Sequence, residues 1–131
     1  MMANKKVLVV DDEPDAIEFV KAVLDEVDDF EIIPAYDGEE GIKKVAEHKP
    51  QLIILDVMLP GQDGFQVFYE IRKNESSKNI PIIMLTGVAN KTGIQFFKKD
   101  MKEYMGQEPL EYIEKPLDPE KLQNAVKEAF A

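Results

Sequence analysis

Leu52-Ile53-Ile54-Leu55-Asp56 is the stretch that decides the fold. Four apolar residues run without interruption and end on a carboxylate. Two other segments read the same way: Val7-Leu8-Val9-Val10 before Asp11-Asp12, and Ile82-Ile83-Met84-Leu85 before Thr86. Each is of strand length and lacks the alternation of a half-exposed strand. Continuous apolar runs of this kind are expected of strands covered on both faces, as in a parallel sheet. Two weaker runs, Phe30 to Tyr36 and Tyr112-Ile113, complete the set of strands. Pro34 interrupts the first of these weaker runs. Proline has no N–H to give to a ladder, so that strand belongs at a sheet edge.

Helix-period stretches lie between the strands. Ile17, Val20, Leu24 and Val27 recur at spacings of three and four, as do Ile94, Phe97, Met101 and Tyr104. Phe65 with Phe68 and Val67 with Ile71 mark a shorter helix; Gly38 to Glu47 is another; Leu122, Val126 and Phe130 mark the last. Asp37 followed by Glu40 has the form of a capping box. Asp118-Pro119 reads as an N-cap with proline at the first helical position, and Glu13-Pro14 has the same form. Strand and helix alternate through the whole chain, which predicts an α/β fold with a parallel sheet and helices on both faces. No fixed-period repeat, low-complexity tract or linker divides the chain, so residues 1–131 are expected to form one domain with its core at about 5–130.

Composition narrows the chemistry. There is no cysteine, which removes disulfides, thiolate metal sites and thiol catalysis together. With a single histidine, His48, any metal site must be built from oxygens, and oxygen sites suit magnesium or calcium. His48 itself sits before Lys49-Pro50 and reads as a solvated helix-end residue, where partial positive charge is favoured. Acidic residues outnumber basic ones 26 to 16, for a formal charge of −10, so direct binding to nucleic acid is not expected. The short basic cluster Lys98, Lys99, Lys102 reads as a solvated helix face. No apolar run approaches the roughly 18 residues that span a bilayer, and Val7 to Val10 is too short for a signal peptide. No membrane partner and a cytoplasmic location are the expectations.

In an open parallel sheet, ligands bind beyond the carboxyl ends of the strands, near the switch in strand order. Asp11 and Asp12 follow the first strand, Asp56 the third, Thr86 the fourth and Lys115 the fifth. Taken singly, each has a plain explanation: Asp12 or Glu13 can cap a helix, Thr86 can cap the next, and Asp56 can be a loop residue. Independent caps do not account for acid, acid, hydroxyl and amine on four strand ends that face one edge. Carboxylates gathered there repel, by roughly 4 kcal/mol per pair at about 4 Å and an effective dielectric near 20. Cations must balance them. Lys115 supplies one, and a divalent ion such as Mg2+, which takes one or two carboxylates together with water and phosphate oxygens, is the obvious second. An aspartate in such surroundings can act as a nucleophile toward phosphorus.

These residues resemble the receiver domains of two-component response regulators. The resemblance covers about Lys5 to Phe130 and rests on Val9-Val10-Asp11-Asp12-Glu13, on Asp56-Val57-Met58-Leu59-Pro60 with Gly64, on Leu85-Thr86-Gly87 and on Glu114-Lys115-Pro116. It implies a flavodoxin-like fold, five parallel strands in the order 2-1-3-4-5 with five helices on two faces; the general rule for that strand order is itself illustrated by a chemotaxis receiver. It implies that Asp56 accepts a phosphoryl group from the phosphohistidine of a sensor histidine kinase or phosphotransfer protein. Asp12 and Asp56 would hold Mg2+, with Asp11 acting mainly through a water and the Met58 backbone carbonyl as a further ligand. Lys115 would pair with a phosphoryl oxygen, its bond to Pro116 often being cis in the family. Thr86 would swing its hydroxyl onto the phosphoryl group and Tyr112 would be the switch aromatic. Such a protein is a switch that assists its own phosphoryl transfer, and is not an enzyme of metabolic turnover. Its signal would be read by a downstream protein, or by a second copy in a homodimer, at the face made by the fourth helix, fifth strand and fifth helix.

The sequence departs from the family pattern in places. Thr86 and Lys115 are 29 positions apart, several more than is usual, and the excess falls in about 90–110. That segment carries Phe96, Phe97, Met101, Tyr104 and Met105, more apolar groups than one helix face needs. It reads either as a longer helix packed on its own sheet or as an enlarged partner surface. Gly87 stands where the family often has Ala. Met58 and Val88 are apolar where the family tunes access of water to the acyl phosphate, which predicts slow self-dephosphorylation. For Tyr112 the alternative is a core aromatic that does not move. No output domain follows the last helix within these residues, as in a stand-alone regulator or a fragment of a larger protein. Three other functions compete. An aspartyl phosphatase of the haloacid dehalogenase kind wants a second Asp where Met58 stands. A flavin or nucleotide binder wants a phosphate-cradling loop where Asp11-Asp12-Glu13 stands. The third is a receiver that is never phosphorylated and serves only as a binding module.

Overall fold

The computed structural model describes residues 5–59, 64–86 and 109–131. Their elements follow in the order β1 (Lys5–Val10), α1 (Pro14–Asp25), β2 (Phe30–Ala35), α2 (Gly38–His48), β3 (Leu52–Asp56), α3 (Gly64–Lys73), β4 (Ile82–Thr86), β5 (Glu111–Glu114) and α4 (Pro119–Ala129). The five strands form one parallel sheet in the order β2-β1-β3-β4-β5. Four helices stand among the described residues where five are expected. The expected fourth, with Ile94, Phe97, Met101 and Tyr104, lies outside them, as do the question of its excess apolar groups and Gly87 and Val88.

The three continuous apolar runs became the three inner strands. Val7 to Val10, Leu52 to Leu55 and Ile82 to Leu85 are all buried. Alternate side chains point to opposite faces of a strand, so each run feeds two cores. Val7, Val9, Leu52, Ile54, Ile83 and Leu85 join Ile17, Val20 and Leu24 of α1 with Leu122 and Val126 of α4 on one face. Leu8, Val10, Ile53, Leu55, Ile82 and Met84 join Val45 of α2 with Val67, Phe68 and Ile71 of α3 on the other. Register locks the arrangement: Val7 lies beside Leu52, and Ile53 beside Ile82.

The weaker runs are the edges. β2 pairs only with β1, and Pro34 sits opposite Val9 where no N–H is needed on the outer side. Its carbonyl is used instead, accepting from Lys44 Nζ at 2.5 Å. β2 closes at Ala35, one residue before the expected Tyr36, and β5 is longer than Tyr112-Ile113 alone. Helix ends follow the caps with one exception. Asp37 accepts from the Glu40 amide and Asp118 from the Glu120 amide, but Glu13 occupies its N-cap without a side-chain bond. Its own amide donates to Asp11 Oδ1 at 3.0 Å, so the turn is held by the strand-end aspartate. No helix among the described residues is long and apolar enough to cross a membrane.

Candidate phosphoryl and metal site

Strand order places the site. β1 and β3 are neighbours, and their chains leave the sheet toward α1 and α3; β4 and β5 continue beside them. The residues that end these strands therefore meet at one edge. Asp11, Asp56 and Thr86 are buried there, at 0%, 4% and 2% exposure, while Asp12 faces solvent. One carboxylate oxygen from each of Asp11, Asp12 and Asp56 lies within 4.8 Å of the other two.

Lys115 reaches across the sheet edge to this group. Its Nζ donates to Asp11 Oδ2 at 2.9 Å and to Asp56 Oδ2 at 3.1 Å. Its backbone amide donates to the Thr86 carbonyl at 2.7 Å, which ties the loop after β5 to the end of β4. The peptide bond to Pro116 is cis. Asp56 Oδ1 is held by the Met58 amide at 3.1 Å, as Asp11 Oδ1 is held by that of Glu13. Both buried carboxylates thus have one oxygen fixed by the following loop and the other fixed by the same ammonium.

The electrostatics are unbalanced. Burial pushes the Asp56 carboxyl above its ordinary 3.8; the Met58 amide and the Lys115 ammonium pull it down, and the charge on Asp11 pushes it up again. Burial pulls Lys115 down, but its bonds to Asp11 and Asp56 outweigh that and hold it above 10.5. The two buried carboxylates share the Lys115 ammonium, and the third, Asp12, is relieved by solvent. Hard oxygen donors this close suit a hard divalent cation, so the donor set fits Mg2+. Asp11, Asp12 and Asp56 are the groups that would hold it.

The residues singled out in the sequence fall into two sets. Asp11, Asp12, Asp56, Thr86 and Lys115 are brought to one place. Met58 follows Asp56 with its side chain 67% exposed. Tyr112 lies beside Met84 on the next strand and packs half-buried against the core under α2 and α3. His48 is the last residue of α2 and has no part in the site. Sequence reasoning missed the open cleft of about 390 Å³ beside Lys115, lined by Glu13, Ala16, Phe19, Pro116 and Leu117. Phe19 is off the buried stripe of α1, and an exposed aromatic on a helix carries no pattern that marks it.

With this geometry in hand, similarity to known proteins is informative. The profile described as the response regulator receiver domain matches residues 7–127. The alkaline phosphatase synthesis transcriptional regulatory protein PhoP of Bacillus subtilis is 38% identical over 124 residues, which is 95% of this chain and 48% of PhoP. The response regulator GtcR of Aneurinibacillus migulanus is 39% identical over 83 residues, 63% of this chain and 33% of GtcR. The chain therefore spans about half the length of PhoP and a third of GtcR. Among solved structures, the chemotaxis response regulator CheY4 of Vibrio cholerae superposes with a TM-score of 0.81 at 28% identity, covering 97% of this chain and 99% of CheY4.

Proposed function

The chain belongs to the response-regulator receiver family of two-component systems, and from that premise we propose that Asp56 is its phosphoacceptor. The observation that carries this reading is the buried carboxylate pair Asp11 and Asp56 bridged by one ammonium, with Asp12 close by. A metabolic enzyme would need a further acid or base to turn the phosphoaspartate over. Beside Asp56, that place is taken by Met58.

The donor is the phosphohistidine of a sensor histidine kinase or phosphotransfer protein. An Asp56 carboxylate oxygen attacks phosphorus, the phosphorus–nitrogen bond breaks, and the departing imidazole nitrogen takes its proton from solvent. Asp56 must be ionised to attack, and the Lys115 ammonium favours that form against the cost of burial. Once the phosphoryl group is in place, the Lys115 ammonium is free to exchange one carboxylate partner for a phosphoryl oxygen, a charge-assisted bond of the stronger kind. Asp11, Asp12, Asp56 and the Met58 carbonyl would hold Mg2+, which when bound would supply positive charge to offset that of the transferring group.

Phosphorylation adds about −1.5 to −2 charge and three acceptor oxygens to a buried site. Thr86, at the neighbouring strand end, donates its hydroxyl to one of them. Tyr112, one strand over, then repacks into the space Thr86 leaves. The surface made by β5 and α4 changes shape, and a downstream protein or a second copy reads it. This is a switch that works in the cytoplasm, and it does not itself touch nucleic acid.

Intact mass after incubation with phosphoramidate tests the reading. A gain of one phosphoryl group that needs Mg2+ and is absent in Asp56→Asn supports it. No gain under any condition makes this chain a binding module.

A further inference from the structure

Gly64 opens α3 across the loop from Asp56. Its amide donates to the Val57 carbonyl at 2.7 Å. A Cβ placed on Gly64 would stand 2.4 Å from the Asp56 carbonyl oxygen and 2.7 Å from Val57 Cα. Both are backbone atoms, and neither can turn aside as a side chain can. The backbone of Gly64 is helical, so the demand is for space and not for a left-handed conformation. By helix propensity alone, alanine would be the better residue here.

The backbone that Gly64 touches is fixed on its other sides. The Val57 amide donates to the Leu85 carbonyl at 2.8 Å, and the Val57 side chain is buried in the core under α2 and α3. A methyl group on residue 64 cannot push this segment into the sheet. What strain the start of α3 does not absorb goes outward, into the next peptide. That peptide carries the Met58 amide, which holds Asp56 Oδ1, and the Met58 carbonyl belongs to the peptide after it. We infer that Gly64 is a positioning residue of the phosphoryl site: its missing side chain sets where the Asp56–Met58 backbone lies, and through it the Asp56 carboxylate and the Met58 carbonyl that would hold the cation. The inference rests on the proposed role of Asp56 and extends it to a residue that touches neither metal nor phosphoryl group.

Gly64→Ala is the test, measured beside wild type by three readouts. Calorimetry gives the Mg2+ dissociation constant, intact mass gives the phosphorylation rate with phosphoramidate, and amide NMR gives the Met58 N–H resonance without metal. The expected result is a folded protein with Mg2+ affinity weakened about 10- to 100-fold, the usual effect of disturbing groups that orient metal ligands. Phosphorylation slows in step, and the amide shifts in the metal-free protein cluster at Val57 and Met58. A folded variant with unchanged affinity and an unmoved Met58 amide overturns the inference. If the variant is unfolded in buffer, the measurements are repeated in trimethylamine N-oxide, which favours the compact state. A chain still unfolded there also overturns it, because Gly64 would then serve the fold and not the site. Wild type that neither binds Mg2+ nor gains a phosphoryl group would instead sink the reading of Asp56 itself.

Discussion

Replacing Asp56 by asparagine should make the metal-free protein more stable. At an effective dielectric near 20, Asp11 and Asp56 oxygens no more than 4.8 Å apart repel by at least about 3.5 kcal/mol. Lys115 at 3.1 Å returns about 5 kcal/mol of attraction. Asp12 is exposed and screened, and adds a smaller repulsion of about 1–2 kcal/mol. The charges alone therefore nearly cancel. Burial of the Asp56 carboxylate, a penalty of several kcal/mol for a buried ion, then tips the balance against the ionised form, in agreement with its raised pKa. Asparagine keeps an oxygen for the Met58 amide and leaves Lys115 paired with Asp11. The expected gain at neutral pH is about 2 kcal/mol, or on the order of 5–10 °C in melting temperature. The pH dependence follows from the sign of the shift. An acid whose folded pKa is raised contributes stability below its unfolded value, near 3.8, and loses it as pH rises through the folded value. The advantage of Asp56→Asn should therefore grow as pH rises through the folded value and vanish below about 3.8. Mg2+ should favour wild type, which gains about 2.7 kcal/mol at a hundredfold excess over the dissociation constant. Urea titrations across pH, with and without Mg2+, read all of this. A metal-free Asp56→Asn protein less stable than wild type at neutral pH would refute the reasoning.

Three further outcomes are expected. Lys115→Ala leaves Asp11 and Asp56 facing each other without their shared cation; Lys115 is a quarter exposed, so urea unfolding should show a discounted loss of about 1–3 kcal/mol, part of it recovered by Mg2+. Lys49 closes α2 at φ 49°, a left-handed position that suits glycine, and Lys49→Gly should raise stability by about 0.5–1 kcal/mol in the same assay. Met58→Asn puts a polar group at the exposed head of the loop after Asp56, and the phosphoryl lifetime, followed by intact mass after dilution, should shorten; an unchanged lifetime would show that Met58 does not limit access of water.

The sheet was legible because its inner strands are buried on both faces, which writes an uninterrupted apolar run into the sequence. The edge strands were fainter for the same reason. β5 carries exposed Glu111 and Glu114 around one buried residue, Ile113, so only its centre read as a strand. The site was legible as polar residues at successive strand ends, since topology alone brings those ends together. Pairing was less so. Nothing in the order of residues says that one lysine spans both Asp11 and Asp56, because that depends on the reach of a side chain across two strands. Glu13 holds the N-cap position as expected but makes no side-chain cap, because the Ala16 amide is already bonded to the Glu13 backbone carbonyl. Gly64 belonged to a motif, yet its closeness to the Asp56 carbonyl is a contact of backbone on backbone, which leaves no trace beyond the glycine itself.

The central claim is that Asp56 carries the phosphoryl group, and an acyl phosphate can be located chemically. Protein treated with phosphoramidate and Mg2+ is reduced with borohydride, which converts a phosphorylated aspartate to homoserine, and is then digested and sequenced by mass spectrometry. Homoserine at position 56, and only when Mg2+ was present, is the predicted result. Homoserine at Asp11 or Asp12, or a phosphoryl group that resists reduction, would contradict the account.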